Sequence, residues 1–154
     1  MTARIIDGKS IAKELRESLA PRVAALKEQG ITPGLTVIVV GDDPASAIYV
    51  RNKERACVKL GMNSQVLRFP AETTQEEILN TVRLLNQDDS VHGILVQLPL
   101  PRHIDEQAVL RAIDPDKDVD GFHAMNAGRL MNGEPGFVAC TPKGVMRLLE
   151  VSGV

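Results

Sequence analysis

The only tyrosine of the chain, Tyr49, stands four residues before Lys53 and just after the run Val39-Val40-Gly41-Asp42-Asp43-Pro44-Ala45-Ser46. An apolar run closing on Gly-Asp-Asp-Pro reads as a buried strand turning sharply into a helix, with Pro44 near the first helical turn. On that helix, positions 49 and 53 share one face, one turn apart. A helix leaving the carboxyl end of a strand can turn such a face into the crevice where open α/β sheets bind ligands. A flat ring beside an amine suits a small-molecule site. Taken alone, a pair of this kind is more often a solvated lysine next to a core tyrosine, because lysines are mostly exposed. A lysine serving as base or electrophile must be partly desolvated or placed among cations. Arg51, Arg55 and Lys59 share its helix, and Glu54 offsets part of their charge.

Two further places carry polar groups suited to a ligand. Gln97 nearly closes the apolar run Gly93 to Leu98, just ahead of Pro99-Leu100-Pro101. A primary amide at the end of a buried strand must find partners, since leaving it unsatisfied costs about 1–3 kcal/mol. Either a neighbouring loop supplies them or the amide faces a polar ligand in the crevice shared with Lys53. Asp116-Lys117-Asp118-Val119-Asp120-Gly121 repeats the first half of a calcium loop, but the twelfth position is Ala127 where a bidentate Glu is required. What remains is a solvated acidic turn or a loop offering one carboxylate, with Gly121 allowing a tight turn that aims Asp120 inward. No glycine-rich phosphate loop occurs, and His92, His103 and His123 form no metal-ligand spacing, so no metal site is expected.

The elements that must position these residues alternate. A helix is predicted from about Ser10 to Gln29, kinked or divided at Pro21, then a strand over Leu35 to Val40. A second helix covers Ala45 to Leu60 and stops at Gly61; Ser64 to Phe69 reads as the second strand. Thr74-Gln75-Glu76-Glu77 opens a third helix with a capping box, Gly93 to Leu98 is the third strand, and a fourth helix spans roughly Asp105 to Ile113. Asp114 to Gly136, rich in proline and glycine, reads as a functional loop. Thr141 then caps a last helix with Pro142 at its first position, and the apolar face of that helix lacks a visible partner before Val154. This alternation predicts an α/β fold of three layers, a mostly parallel sheet with helices on both faces.

At 154 residues the chain can bury one proper core, and 44% hydrophobic with 25% charged residues is an ordinary globular composition. A net charge of −2 without clustered Lys, Arg and aromatic residues excludes a nucleic-acid footprint. Met1 to Gly8 has no apolar signal core, no run approaches membrane-spanning length, and Cys57 and Cys140 read as free thiols, so a cytoplasmic protein is expected.

Four ordered motifs then point to a family. Val40 to Ser46 followed by Tyr49-Val50-Arg51-Asn52-Lys53 resembles the first signature of the bifunctional methylenetetrahydrofolate dehydrogenase/cyclohydrolases. Gly93 to Pro101 resembles the second, Pro115 to Phe122 the third and Cys140-Thr141-Pro142-Lys143-Gly144 the fourth, and the likeness runs from Ile6-Asp7-Gly8-Lys9 onward. The resemblance implies that Tyr49 stacks on the folate ring system, that Lys53 is the central catalytic group activating water, and that Gln97 hydrogen-bonds Lys53. It implies that Asp120 accepts from the amino-pyrimidine end of the pterin, with Ser46 and Pro99 as further substrate contacts. The reactions implied are oxidation of methylene-tetrahydrofolate with NADP and hydrolysis of the methenyl cation to formyl-tetrahydrofolate.

In that family the catalytic half is paired with a Rossmann-type half that binds NADP. The resemblance therefore implies a catalytic folate-binding domain over residues 1–138 and the start of a truncated NADP-binding domain over 139–154, with no cofactor-binding residue inside this chain. It implies a homodimer for the full-length protein and no hydride transfer by the chain alone. Three other readings stay open: a catalytically silent folate-binding fragment, a Schiff-base lysine enzyme, and a receiver-like signalling domain. The last is disfavoured because Gln97 stands where a phosphorylatable Asp is needed.

Overall fold

A computed structural model of the chain describes residues 5–153. The stretch read as lacking a signal core begins at Met1, and its first four residues lie outside the described part, as does Val154. Among the described residues no helix is long and apolar enough to cross a membrane. In chain order the elements are α1 (Gly8–Glu28), β1 (Gly34–Val40), α2 (Pro44–Lys59), β2 (Asn63–Phe69), α3 (Gln75–Gln87), β3 (Gly93–Val96), α4 (Glu106–Ala112), α5 (Ala124–Asn132) and α6 (Cys140–Ser152).

The three strands form a parallel sheet in the order β2-β1-β3, with Val37 of β1 level with Val66 on one side and Leu95 on the other. The central strand is a β-branched run, Leu-Thr-Val-Ile-Val-Val, whose alternate side chains serve opposite faces. Ile38 and Val40 pack with Ile78, Val82 and Leu85 of α3, Val109 and Leu110 of α4, and Ile94 and Val96 of β3. Val37 and Val39 pack on the other face with Val50 of α2 and Leu95. The predicted three layers therefore form, with α2 and α3 on opposite faces. That is what right-handed crossovers travelling in opposite directions across the sheet require. The reversal of direction lies beside β1 and β3, so the loops after these two strands flank the crevice that such a reversal opens.

Several local expectations are corrected. Pro21 lies inside α1 without dividing it. The helix begins at Gly8 because the Asp7 carboxylate caps Lys9 N and Ser10 N, each at 3.1 Å. β3 stops at Val96, although Gln97 N still donates to Ile38 O at 2.9 Å before the cis Leu98–Pro99 bond. Residues 114–136 are not all loop: α5 lies within them, opened by the His123 imidazole, which accepts from Met125 N at 3.0 Å. The α6 helix starts two residues early, at Cys140, so Thr141 and Pro142 sit inside its first turn and Ala139 holds the cap position with no side-chain bond. It lies against α1 and has no buried residue among those described. The capping box of α3 holds in part, with Glu77 N donating to Thr74 Oγ1 at 3.3 Å.

Candidate functional site

The α2 helix is set against the sheet by Val50, fully buried, and by Ser46, whose N–H and hydroxyl donate to Asp43 Oδ2 at 2.7 and 2.6 Å. These two bonds hold the Asp43 carboxyl below its ordinary value, the hydroxyl contributing most. Ser46 is therefore engaged in starting the helix. From this anchored end, Tyr49 and Lys53 project on one face, and their burial is the reverse of the ordinary pattern. Tyr49 is 63% exposed, leaving its ring face free, while Lys53 is half-buried.

The burial of Lys53 is explained by its partner. Lys53 Nζ donates to Gln97 Oε1 at 3.1 Å. Gln97 Nε2 in turn donates to Leu98 O at 2.8 Å, which turns the acceptor end of the amide toward the lysine. Gln97 thus satisfies itself through Lys53 and its own following residue, and not through a distant loop. Pro99 is exposed directly after this pair.

Asp120 reaches the same place by a different route. Ile94 bridges in parallel to Asp118, and Ile94 N donates to Lys117 O at 2.8 Å, so residues 117–119 run beside β3. Two residues further along, Asp120 comes level with the end of β3, close enough for Lys53 to act on its charge. Burial pushes the Asp120 carboxyl above its ordinary value; the Lys53 ammonium opposes this, Asp118 adds to it, and a hydrogen bond with Cys140 opposes it. The Cys140 thiol lies 3.4 Å from Val119 O. Although Cys140 is exposed as a residue, local desolvation of its sulfur raises the thiol, the Asp120 charge adds to this, and Lys143 and Lys53 pull it back.

The three acids of the loop have separate employments. Asp116 pairs with Arg129 at 3.0 Å, Asp118 is buried and accepts from His123 N at 2.9 Å, and Asp120 lies near enough to Lys53 to feel its charge. Lys53, Gln97 and Asp120 are therefore brought together, with Tyr49 one turn before the lysine. Ser46 and Pro99 lie at the helix start and the strand exit, respectively.

Cys140 belongs to this constellation although its residue type and position alone gave no sign of it. The only available signal was the Cys-Thr-Pro-Lys-Gly motif, which carries no distance. Asp118 was likewise hidden, because an acid in a run of acids reads as solvated surface.

The arrangement offers an amine held by an amide, a partly desolvated carboxylate and an exposed ring, which can bind a flat, donor-rich heterocycle and move a proton beside it. Comparisons with known proteins agree with this chemistry. The family described as tetrahydrofolate dehydrogenase/cyclohydrolase, catalytic domain, matches residues 6–120. The bifunctional protein FolD of Acidovorax sp. (strain JS42) is 55% identical over 154 residues, 100% of this chain and 55% of that protein. FolD of Magnetococcus marinus is 58% identical over 153 residues, 99% of this chain and 54% of that protein.

Among solved structures, the bifunctional FolD enzyme of Campylobacter jejuni superposes with a TM-score of 0.95 at 47% identity, over 97% of this chain and 54% of that one. The methylenetetrahydrofolate dehydrogenase-cyclohydrolase of Trypanosoma brucei, complexed with NADP cofactor and inhibitor, gives 0.95 at 40% identity, over 100% of this chain and 54% of that one. The chain spans about half the length of the curated relatives it matches. With the strand order, the Lys53–Gln97 pair and these likenesses all in agreement, the chain belongs to the tetrahydrofolate dehydrogenase/cyclohydrolase family.

Proposed function

We propose that this chain supplies the folate site of an enzyme of one-carbon metabolism that oxidises 5,10-methylene-tetrahydrofolate and hydrolyses the methenyl product to 10-formyl-tetrahydrofolate. The observation that carries the reading is the 3.1 Å bond between Lys53 Nζ and Gln97 Oε1 beside the Asp120 carboxylate. Tyr49 offers its exposed ring to the folate ring system, and Asp120 accepts from the amino-pyrimidine edge of the pterin. Pro99, exposed at the strand exit, completes the substrate contacts, and Ser46 acts on the site through the helix start it caps with Asp43.

In the hydrolytic step, water adds to the cationic methenyl carbon beside Lys53 Nζ, and one of its protons leaves to solvent. The Lys53 ammonium then gives a proton to N5 as the bond from that carbon to N5 breaks, and it recovers the hydroxyl proton as the carbonyl of the N10-formyl group forms. Gln97 fixes Lys53 for both transfers, because its own Nε2 is committed to Leu98 O.

NADP would accept the hydride in the oxidation. No glycine-rich phosphate loop occurs in these 154 residues. Residues 1–138 then form the catalytic folate-binding unit, and 139–154, including α6, begin the cofactor-binding half. A cytoplasmic setting and a homodimer of the full-length protein belong to the same proposal.

The test is the disappearance of methenyl-tetrahydrofolate absorbance with this chain and with Lys53→Ala. Removing a positioned acid–base group is expected to slow hydrolysis by about 10²–10⁴-fold. Equal rates for the two proteins would sink the assignment of Lys53.

A further inference from the structure

We propose that Asn126, acting through Asp118, is a positioning residue that fixes the Asp120 carboxylate toward Lys53 and the ligand crevice. The inference rests on the folate reading above. Asn126 is 1% exposed, yet it belongs to α5, whose other residues stay outside the core. Its amide is fully used. Nδ2 donates to Pro115 O at 2.8 Å and to Asp118 Oδ2 at 3.0 Å, while Oδ1 accepts from Arg129 Nη1 at 3.3 Å and Phe137 N at 3.4 Å. One side chain thereby ties the segment before Asp118, Asp118 itself, its own helix and the segment after that helix.

Asp118 is the relay. It is 2% exposed and also accepts from Phe122 N at 3.3 Å and His123 N at 2.9 Å, on the far side of Asp120. Asp120 and Gly121 therefore sit at the tip of a loop whose two sides are joined by the Asp118 carboxylate. A buried carboxylate is costly unless donors surround it, and the Asn126 amide supplies the side-chain donor among the three. With that donor gone, the charge is left to two backbone N–H groups, and Pro115 O loses its partner.

The same loop is pinned to β3 at Lys117 and Asp118, the strand that leads into Gln97. The Asn126–Asp118 pair thus sets where Asp120 stands relative to Gln97 and Lys53. A fully satisfied polar network specifies one arrangement, which an apolar side chain at this position cannot do. Small displacements matter at such sites, since a misplacement of about 1 Å costs on the order of 10²-fold.

The test is a calorimetric titration of this chain with 5-formyl-tetrahydrofolate, a stable reduced folate with an intact pterin edge. The proteins are wild type, Asn126→Ala, Asp118→Asn, Asp120→Ala, and each of the first two variants combined with Asp120→Ala. Asn126→Ala is expected to weaken binding by about tenfold or more, with an unchanged circular dichroism spectrum. In the Asp120→Ala background the same change should cost no more than about twofold further, because the group being positioned is already gone. Wild-type affinity in Asn126→Ala, or a loss that repeats in full on Asp120→Ala, overturns the inference and leaves the folate reading standing. Absence of binding by the wild-type chain overturns both. Should Asn126→Ala not fold, Asp118→Asn in the same cycle decides by the same two criteria.

Discussion

Burial raises the Asp120 carboxyl above its ordinary value of 3.8, against the pull of Lys53. Between that value and the raised one, the folded chain holds a proton that the unfolded chain has lost. Stability contributed by this group therefore falls as pH rises through that interval, and the loss is complete above it. Asp120→Asn is expected to raise the thermal midpoint near neutral pH, with a gain that vanishes below the ordinary carboxylate range. Each kcal/mol recovered would appear as about 2–4 °C for a chain of this size. Folate affinity should move the opposite way. Replacing a charged acceptor by a mixed donor and acceptor forfeits about 1.5–3 kcal/mol, or roughly tenfold or more in the dissociation constant. A variant with unchanged stability and unchanged affinity would remove Asp120 from the site. Of the residues concerned, Tyr49, Lys53, Gln97 and Asp120 were legible as chemistry-bearing types in the sequence. Their mutual distances were not, because three separate elements carry them.

At the scale of elements, the α5 segment shows why one helix escaped the sequence pattern. Ala124–Asn132 is only 9 residues long and buries one side chain, Asn126, so its short apolar pattern does not stand out from the glycines and prolines around it. Its cap is a histidine, outside the usual Ser, Thr, Asp and Asn set, and glycines and prolines flank it. The start of α6 departs from its local pattern for a related reason. Thr141-Pro142 has the form of a cap followed by the first helical residue, yet tertiary placement moved the start to Cys140. What holds this region is the approach of residues 138–139 to Gly121. A Cβ on Gly121 would stand 2.6 Å from both Ala139 N and Val138 C, and its φ is +69°. Gly121→Ala therefore meets backbone on one side and a left-handed conformation on the other. A cost of about 2–4 kcal/mol in urea unfolding is expected, combining overpacking with backbone strain. Gly133 has a φ of +70° with open space around it, so Gly133→Ala should cost only about 1 kcal/mol. Equal costs at the two positions would show that the close approach to residues 138–139 contributes nothing.

Across the whole molecule, stability is concentrated in the sheet and its two covering layers. Ile38 is fully buried at the centre of the larger core, whereas Leu84 on α3 is 69% exposed. Ile38→Ala should destabilise by about 2–5 kcal/mol in chemical denaturation, and Leu84→Ala by no more than about 0.5 kcal/mol. A small loss at Ile38 would mean that the two faces of β1 do not anchor the fold. The sequence by itself determined the strand–helix alternation, the parallel sheet, the layers and the residue types of the site. These depend on local hydrophobic period, turn residues and caps, all of which lie within a few residues of one another. Only the tertiary structure decided that Lys53 is half-buried against Gln97, that Asp118 and Asn126 close the loop behind Asp120, and that Cys140 joins them. Each of these joins groups separated in sequence, from 8 residues for Asp118 and Asn126 to 44 for Lys53 and Gln97. Such contacts are fixed by how the sheet and loops pack, and no local pattern along the chain encodes them.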